Sequence, residues 1–257
     1  MRTSSESTSW NKIGKWYNDV VGEQGHYYHQ NLIIPNVLKL LNLKETLNAS
    51  FLDLACGQGV LSRSLPPEIP YTGVDIAPEL IRAARQYNKS KTCEFIIADV
   101  TKNISLTKKD FTHSSIILAL QNIESPLLAL KNASKHLSTG AKLIIVINHP
   151  CFRIPRQSSW KVDESTKTQY RRIDRYMSAM KIPIQTNPGQ GKGSEESWSF
   201  HHPLSSYCRW LNESGFSIQL IEEWCSPKVS DGKAAKMENR SREEIPLFMA
   251  IVATKND

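Results

Sequence analysis

One stretch limits the folds open to this chain: Phe51-Leu-Asp-Leu-Ala-Cys-Gly-Gln-Gly-Val-Leu-Ser62. The apolar run Phe51 to Leu54 reads as a short buried strand, Ala55 to Gly59 as a turn of small residues, and Val60 as the start of a helix. Strand, tight turn and helix in that order form the first βα unit of a doubly wound α/β sheet, whose ligands sit beyond the strands' carboxyl ends. Glycine at 57 and 59 allows a sharp turn and a close backbone approach without a Cβ clash. Asp53 narrows the choice of ligand. A loop that cradles a pyrophosphate does so with backbone N–H groups, and a carboxylate inside the motif repels such a ligand and attracts a cationic one.

The second expected strand, Pro70-Tyr-Thr-Gly-Val-Asp75, ends in an acid 22 residues after Asp53. That is the position from which a carboxylate at a second strand tip accepts hydrogen bonds from ribose hydroxyls. Cys93-Glu-Phe-Ile-Ile-Ala-Asp-Val100 is a third strand, again ending in an acid, Asp99. Further strands are expected at Phe111 to Leu120, Lys142 to Asn148, Phe216 to Trp224 and Ile245 to Thr254. Ser125-Pro126 should open a helix through Leu137 that stops near Gly140, and Leu204 to Asn212 a second one that stops at Gly215.

The pattern Asp53-x-Ala-Cys-Gly-x-Gly resembles motif I of the class I S-adenosylmethionine-dependent methyltransferases; it departs from it at Ala55, where many members have glycine. S-adenosylmethionine has no phosphate, and its methionine part carries an ammonium that suits an acidic strand end. The resemblance covers about 41–254. It implies an α/β fold, a seven-stranded, mostly parallel doubly wound sheet whose last strand is antiparallel. It also implies a cofactor site made of Asp53, Ala55, Cys56, Gly57 and Gly59, with Asp75 on the ribose and Ile76 on the adenine. Asp99 and the Val100 backbone are then expected at the adenine edge, Ala119, Leu120 and Gln121 also at the cofactor, and the continuation Gln121-Asn-Ile-Glu-Ser-Pro126 where the transferred methyl lies. No Asn-Pro-Pro-Tyr follows the fourth strand, which speaks against the amino-methylating enzymes of DNA that use it. The phrases around His149–Trp160 and Ser199–Gly215 are similar to small bacterial methyltransferases near the ubiquinone and menaquinone type.

At 257 residues the chain reads as one domain with insertions. A polar tail over 1–9 is expected to be disordered rather than a signal peptide. An N-terminal helical cap over 10–48 precedes a cofactor-binding core over 49–148. An inserted, irregular lid over 149–203, with Pro183, Pro188, Gly189, Gly191 and Gly193 as expected joints, comes before the C-terminal part of the core, 204–257. Within that part, 225–244 is expected to be a further irregular, charged connection on the cofactor face. The content is 40% hydrophobic and 22% charged, ordinary for a soluble globular protein, and no apolar run approaches a membrane span of roughly 20 residues. Five scattered cysteines without C-x-x-C speak against a disulfide framework or a metal site, and for a cytoplasmic location.

The lid leaves a strand's carboxyl end, on the face where the cofactor is expected, so it should roof the substrate site. Between 151 and 192 nine basic residues face only Asp163, Glu164 and Asp174, so much of the chain's net charge of +7 is concentrated there. Arg153 and Arg156 could grip a carboxylate or phosphate of a substrate, with Trp160 as a pocket wall; equally, the arginines could be a solvated face. Tyr17, Tyr28 and His29 of the cap are pocket candidates by the same resemblance, or else aromatics that merely pack the cap. His149, His201 and His202 titrate in the range of a general base, though each could be structural. The leading expectation is methylation of a small molecule beneath the lid. Its rivals are methylation of RNA or protein, which the positive insertion favours, and a non-catalytic S-adenosylmethionine-binding protein.

Overall fold

The computed structural model describes residues 9–43, 46–185 and 196–257. All of the expected tail but Ser9, and the expected joints Pro188, Gly189, Gly191 and Gly193, lie outside them. The strands are β1 (Phe51–Leu54), β2 (Tyr71–Asp75), β3 (Cys93–Ile97), β4 (Phe111–Ile117), β5 (Leu137–Asn148), β6 (Ser158–Asp163), β7 (Thr168–Ile173), β8 (Met180–Gln185), β9 (Glu196–His201), β10 (Phe216–Trp224) and β11 (Phe248–Lys255). The α-helices are α1 (Ser9–Val21), α2 (Ile34–Leu41), α3 (Pro78–Tyr87), α4 (Pro126–His136), α5 (Leu204–Glu213) and α6 (Ala235–Glu244).

Seven strands form the central sheet in the order β10-β11-β5-β4-β1-β2-β3. β1 to β5 pair in parallel, and β11 runs antiparallel to both β5 and β10. The order of strands reverses between β1 and β4, the switch point at which a crevice opens in such sheets. Helices cover both faces, which is why the central strands read as largely apolar runs, while the edge strands β3 and β10 are more exposed. Alternate residues divide between two cores. Leu52, Leu54, Leu143, Ile145, Ile147, Met249 and Ile251 share one with Leu130 of α4 and Leu211 of α5. Phe51, Tyr71, Ile144, Val146, Ala250 and Val252 share the other with Val37 of α2 and Ile81 of α3.

Four local expectations are corrected. The motif's turn leads not into an α-helix but into one 3₁₀ turn, Leu61–Ser64. Pro66 forces Leu65 into an extended conformation, ψ 153°, and ends the helical path there. The cap's second segment opens with a π turn, His29–Ile33, in which the Ile34 N–H reaches the His29 carbonyl. Pro35 has no N–H to close a regular turn onto Asn31, and its ring would crowd that carbonyl. α4 stops at His136, and Leu137 to Gly140 belong to β5, which begins five residues earlier than its apolar run suggests. The segments after β5 and β10 are not irregular: 149–203 holds the antiparallel hairpins β6–β7 and β8–β9, and 225–244 holds α6.

Candidate functional site

A cavity of about 500 Å³ opens at the carboxyl ends of β1, β2, β3 and β4. Ala55 and Gly57 line it after β1, Asp75 and Ile76 at the end of β2, Asp99 and Val100 beyond β3, and Ala119 beyond β4. These are seven of the residues expected to meet a cofactor. Cys56 and Asp53 instead line a cavity of about 50 Å³ with Gln58 and His29, and Tyr17, Ala55 and Gly57 border both. Gly59, Leu120 and Gln121 line neither cavity. Gly59 turns the chain at φ +70° with Phe95 against it, Leu120 is core, and Gln121 is buried with its amide on the Leu118 carbonyl.

Asp75 is held at both carboxylate oxygens by backbone N–H groups. Its Oδ2 accepts from the Gly57 N–H at 2.8 Å and its Oδ1 from the Ala77 N–H at 2.9 Å, so one carboxylate ties the motif's turn to the start of α3. Burial raises its pKa, and the backbone N–H groups of Ala77, Gly57 and Ile76 pull it back. Each carboxylate oxygen has two lone-pair directions, and one backbone bond apiece leaves acceptor capacity toward the cavity. Burial, then the Asp75 charge, pushes the neighbouring Tyr17 hydroxyl up to about 12, so it stays a neutral donor.

Asp53 does something other than meet an ammonium in the open. It is buried, and its Oδ2 and Oδ1 accept from Tyr71 Oη and Ser115 Oγ, each at 2.6 Å. The carboxylate therefore bridges β2 and β4 across β1. Burial lifts its pKa to about 6 against the pull of those two hydroxyls. Asp99 is also partly engaged, its Oδ1 accepting from the Thr101 N–H at 2.9 Å and hydroxyl at 2.7 Å.

The motif's one departure falls on a strained residue. Ala55 sits at φ +56°, in the left-handed region that favours glycine. A non-glycine residue loses about 1–2 kcal/mol there, and glycine gives back about 0.4–1 kcal/mol through its freer unfolded chain. Ala55→Gly is therefore expected to stabilise the protein by ~0.5–1 kcal/mol, a rise of a few degrees in a thermal melt. An unchanged or lowered Tm would mean that this turn carries no strain to relieve.

The expected bases are not at the cavity. His149 is buried beyond β5 with Nε2 2.6 Å from Glu223 Oε1, His201 bonds the Tyr176 carbonyl at 2.7 Å, and His202 packs edge-on against Trp210. Burial lowers the pKa of all three, so they rest neutral. Of the expected substrate residues only Tyr17 lines the larger cavity. His29 lines the smaller one, pushed down to about 4 by burial, and Tyr28 packs on Phe248. Arg153 lies over Phe248 as well, Trp160 lies beneath Arg171, and Arg156 holds a turn at φ +61°.

The outer wall includes Asn122 to Ser125, from the continuation of β4 expected near the methyl. Trp10 from α1 and Lys181, Trp198 and Phe200 of the β8–β9 hairpin complete it and were not singled out from the sequence. Lys181 faces Phe200 across that ladder; its Nζ lies 5.0 Å from the Trp198 ring centre and 3.0 Å from Glu124 Oε1. The alternation Ser197-Trp-Ser-Phe200 is a strand signal with both aromatics on one face, but nothing local says what that face meets. Among the described residues no group of His, Cys, Asp and Glu could hold a metal, and no helix is long and apolar enough to cross a membrane.

Comparison with known proteins agrees with this architecture. Residues 52–145 match the family model described as a methyltransferase domain. No curated protein matches the chain in sequence. An S-adenosylmethionine-dependent methyltransferase from Mesorhizobium loti is similar over 91% of this chain and 100% of its own, at 23% identity and a TM-score of 0.68. One from Clostridium acetobutylicum is similar over 96% and 99%, at 17% identity and 0.60. An amino pentose methyltransferase of calicheamicin biosynthesis from Micromonospora echinaspora, solved with S-adenosylmethionine bound, is similar over 94% and 97%, at 15% identity and 0.59. At such identities the likeness speaks for the fold. The fold is thus that of the class I methyltransferases, and residues 52–145 are similar to a methyltransferase domain.

Proposed function

We propose that the chain transfers the methyl group of S-adenosylmethionine to a small-molecule acceptor held beneath residues 149–203. The observation that carries this is the larger cavity, with acids at its second and third strand ends and an aromatic hairpin across its mouth. The residues fit the cofactor. The Ala55–Gly59 turn itself contains no basic residue, and the Arg63 guanidinium that reaches it is engaged by the Gln58 and Glu23 carbonyls, while Asp75 keeps acceptor capacity for a ribose. A Cβ built on Gly57 would meet nothing nearer than Tyr17 at 3.9 Å, so the turn leaves open space.

In this reading Asp75 holds the ribose, Ile76 and Val100 flank the adenine, Asp99 accepts from its amine, and the Ala55–Gly57 turn takes the methionine part. S-adenosylmethionine, when bound, supplies an electrophilic methyl on a sulfonium. The chain's part is to align the acceptor and exclude water. Trp10, Trp198 and Phe200 wall the cavity, and rate comes mainly from orientation. The Lys181–Glu124 pair ties the hairpin to the segment after β4, but the side chains are 45% and 69% exposed, and such a pair contributes little to stability. Among the described residues no imidazole lines the larger cavity, so this reading assigns no histidine base. The test is incubation with labelled methyl-S-adenosylmethionine and host extract, fractionated into small molecules, RNA and protein. Enzyme-dependent label is expected in a small-molecule fraction. Label in RNA or protein, or none with cofactor bound, would overturn the acceptor class or the activity itself.

A further inference from the structure

A second group of side chains lies beside the cavity just described, at the ends of β5 and β11. Arg153 is half-buried, its guanidinium carbon 5.3 Å from the ring centre of Phe248. Of its five N–H donors one is used among the described residues, on Asn148 Oδ1 at 2.9 Å. Arg171, also half-buried, reaches in from β7, held by the Phe152 carbonyl and Ser158 Oγ, both at 2.8 Å, and lies 5.2 Å from the Trp160 ring centre. Tyr28 packs edge-on against the same Phe248 at 5.4 Å, and Lys228 Nζ lies 5.2 Å from the Tyr28 ring.

Three cations from three separate segments thus gather on an aromatic floor. None of them forms an ion pair among the described residues, although carboxylates pair with Arg82, Lys102, Arg172, Lys181 and Arg242 elsewhere. Desolvation first, and the nearby Arg171 charge with it, lowers the pKa of Arg153, while Tyr28 raises it. Half-burying like charges together is unfavourable unless an anion offsets it, and guanidinium forks are suited to carboxylate and phosphoryl oxygens. The position matters as much as the charge. Val146, two residues before the Asn148 that holds Arg153, accepts from the Leu118 N–H on the wall of the larger cavity. The arginines are therefore one strand over from the point where β4 meets that cavity.

We infer that Arg153 and Arg171, with Lys228 at the rim, form the anion-recognition part of the acceptor site, and that the acceptor carries a carboxylate or phosphoryl group on an aromatic or apolar body. This deepens the proposed methyl transfer, and one part of it stands apart from that reading: the site binds anions whether or not the chain turns over. The probes are benzoate and phenyl phosphate, with benzylamine as the cationic control, titrated into the full chain by calorimetry or NMR. Both anions are expected to bind and benzylamine not to. Arg153→Gln and Arg171→Gln should each weaken anion binding at least tenfold, and Arg153→Lys should restore part of it. S-adenosylhomocysteine affinity should stay within about twofold in every variant, which also reports that each is folded. Anion binding equal in wild type and variants, or none in wild type, overturns the site. Loss of a bound tRNA in the same variants, with the small anions never bound, would reassign the arginines to nucleic acid. Failure of S-adenosylhomocysteine to bind wild type, with the anions still bound through Arg153, would overturn the methyl-transfer reading and leave this site standing.

Discussion

Asp75→Ala should weaken S-adenosylmethionine binding by about 1–3 kcal/mol, roughly five- to more than a hundredfold in Kd by calorimetry. The loss has two sources. A ribose loses its charged acceptor, and the N–H groups of Gly57 and Ala77, which now point at Asp75, lose theirs. The second source also lowers the stability of the free protein, because buried donors without partners are costly. Asp75→Asn separates them: the amide's single acceptor oxygen can keep one of the two backbone bonds, so it should lose less stability than alanine while still losing the charge-assisted contact. If alanine at 75 binds the cofactor as tightly as wild type, the ribose is not held at β2.

The largest loss of stability is expected at Phe51. Its ring lies parallel to Tyr71, centre to centre 5.9 Å with 8° between the planes, and to His113 at 6.4 Å and 7°. It is fully buried, one residue before the Leu52-Asp53-Leu54 that carries the motif. Phe51→Ala leaves a cavity between two rings fixed in neighbouring strands, which cannot collapse without shifting β2 or β4. A loss of ~3–5 kcal/mol follows, read from urea unfolding or as a Tm lower by roughly 6–20 °C. Leucine at 51 should recover much of it. A loss near 1 kcal/mol would mean that the core beneath the motif closes around the gap.

Asp75 and Phe51 belong to the part of the protein that local sequence reasoning reaches. Strand, turn and acid lie within a few residues of each other in the chain, and an acidic strand tip is a local signal. The same is true of the central strands, whose apolar runs follow from burial on both faces of the sheet. Where the reading slipped, a single residue outweighed a pattern. Pro66 cut the helix expected from Val60, and Pro35 widened the turn before α2. Histidines chosen for their titration range alone proved to be packed against Glu223, the Tyr176 carbonyl and Trp210, because nothing in a sequence tells a buried imidazole from one facing a cavity.

What this sequence determined by itself was the sheet, its direction and the acids at the carboxyl ends, since each depends on residues near in the chain. Only the tertiary structure decided what closes the cavity and where the basic insertion points. Lys181 and Glu124 are 57 residues apart, and Tyr28 and Ser226 are 198 apart, yet each pair is in hydrogen-bond contact. Such pairs form where loops from one end of a sheet converge, and their partners are set by the packing of whole strands and helices rather than by any periodicity along the chain.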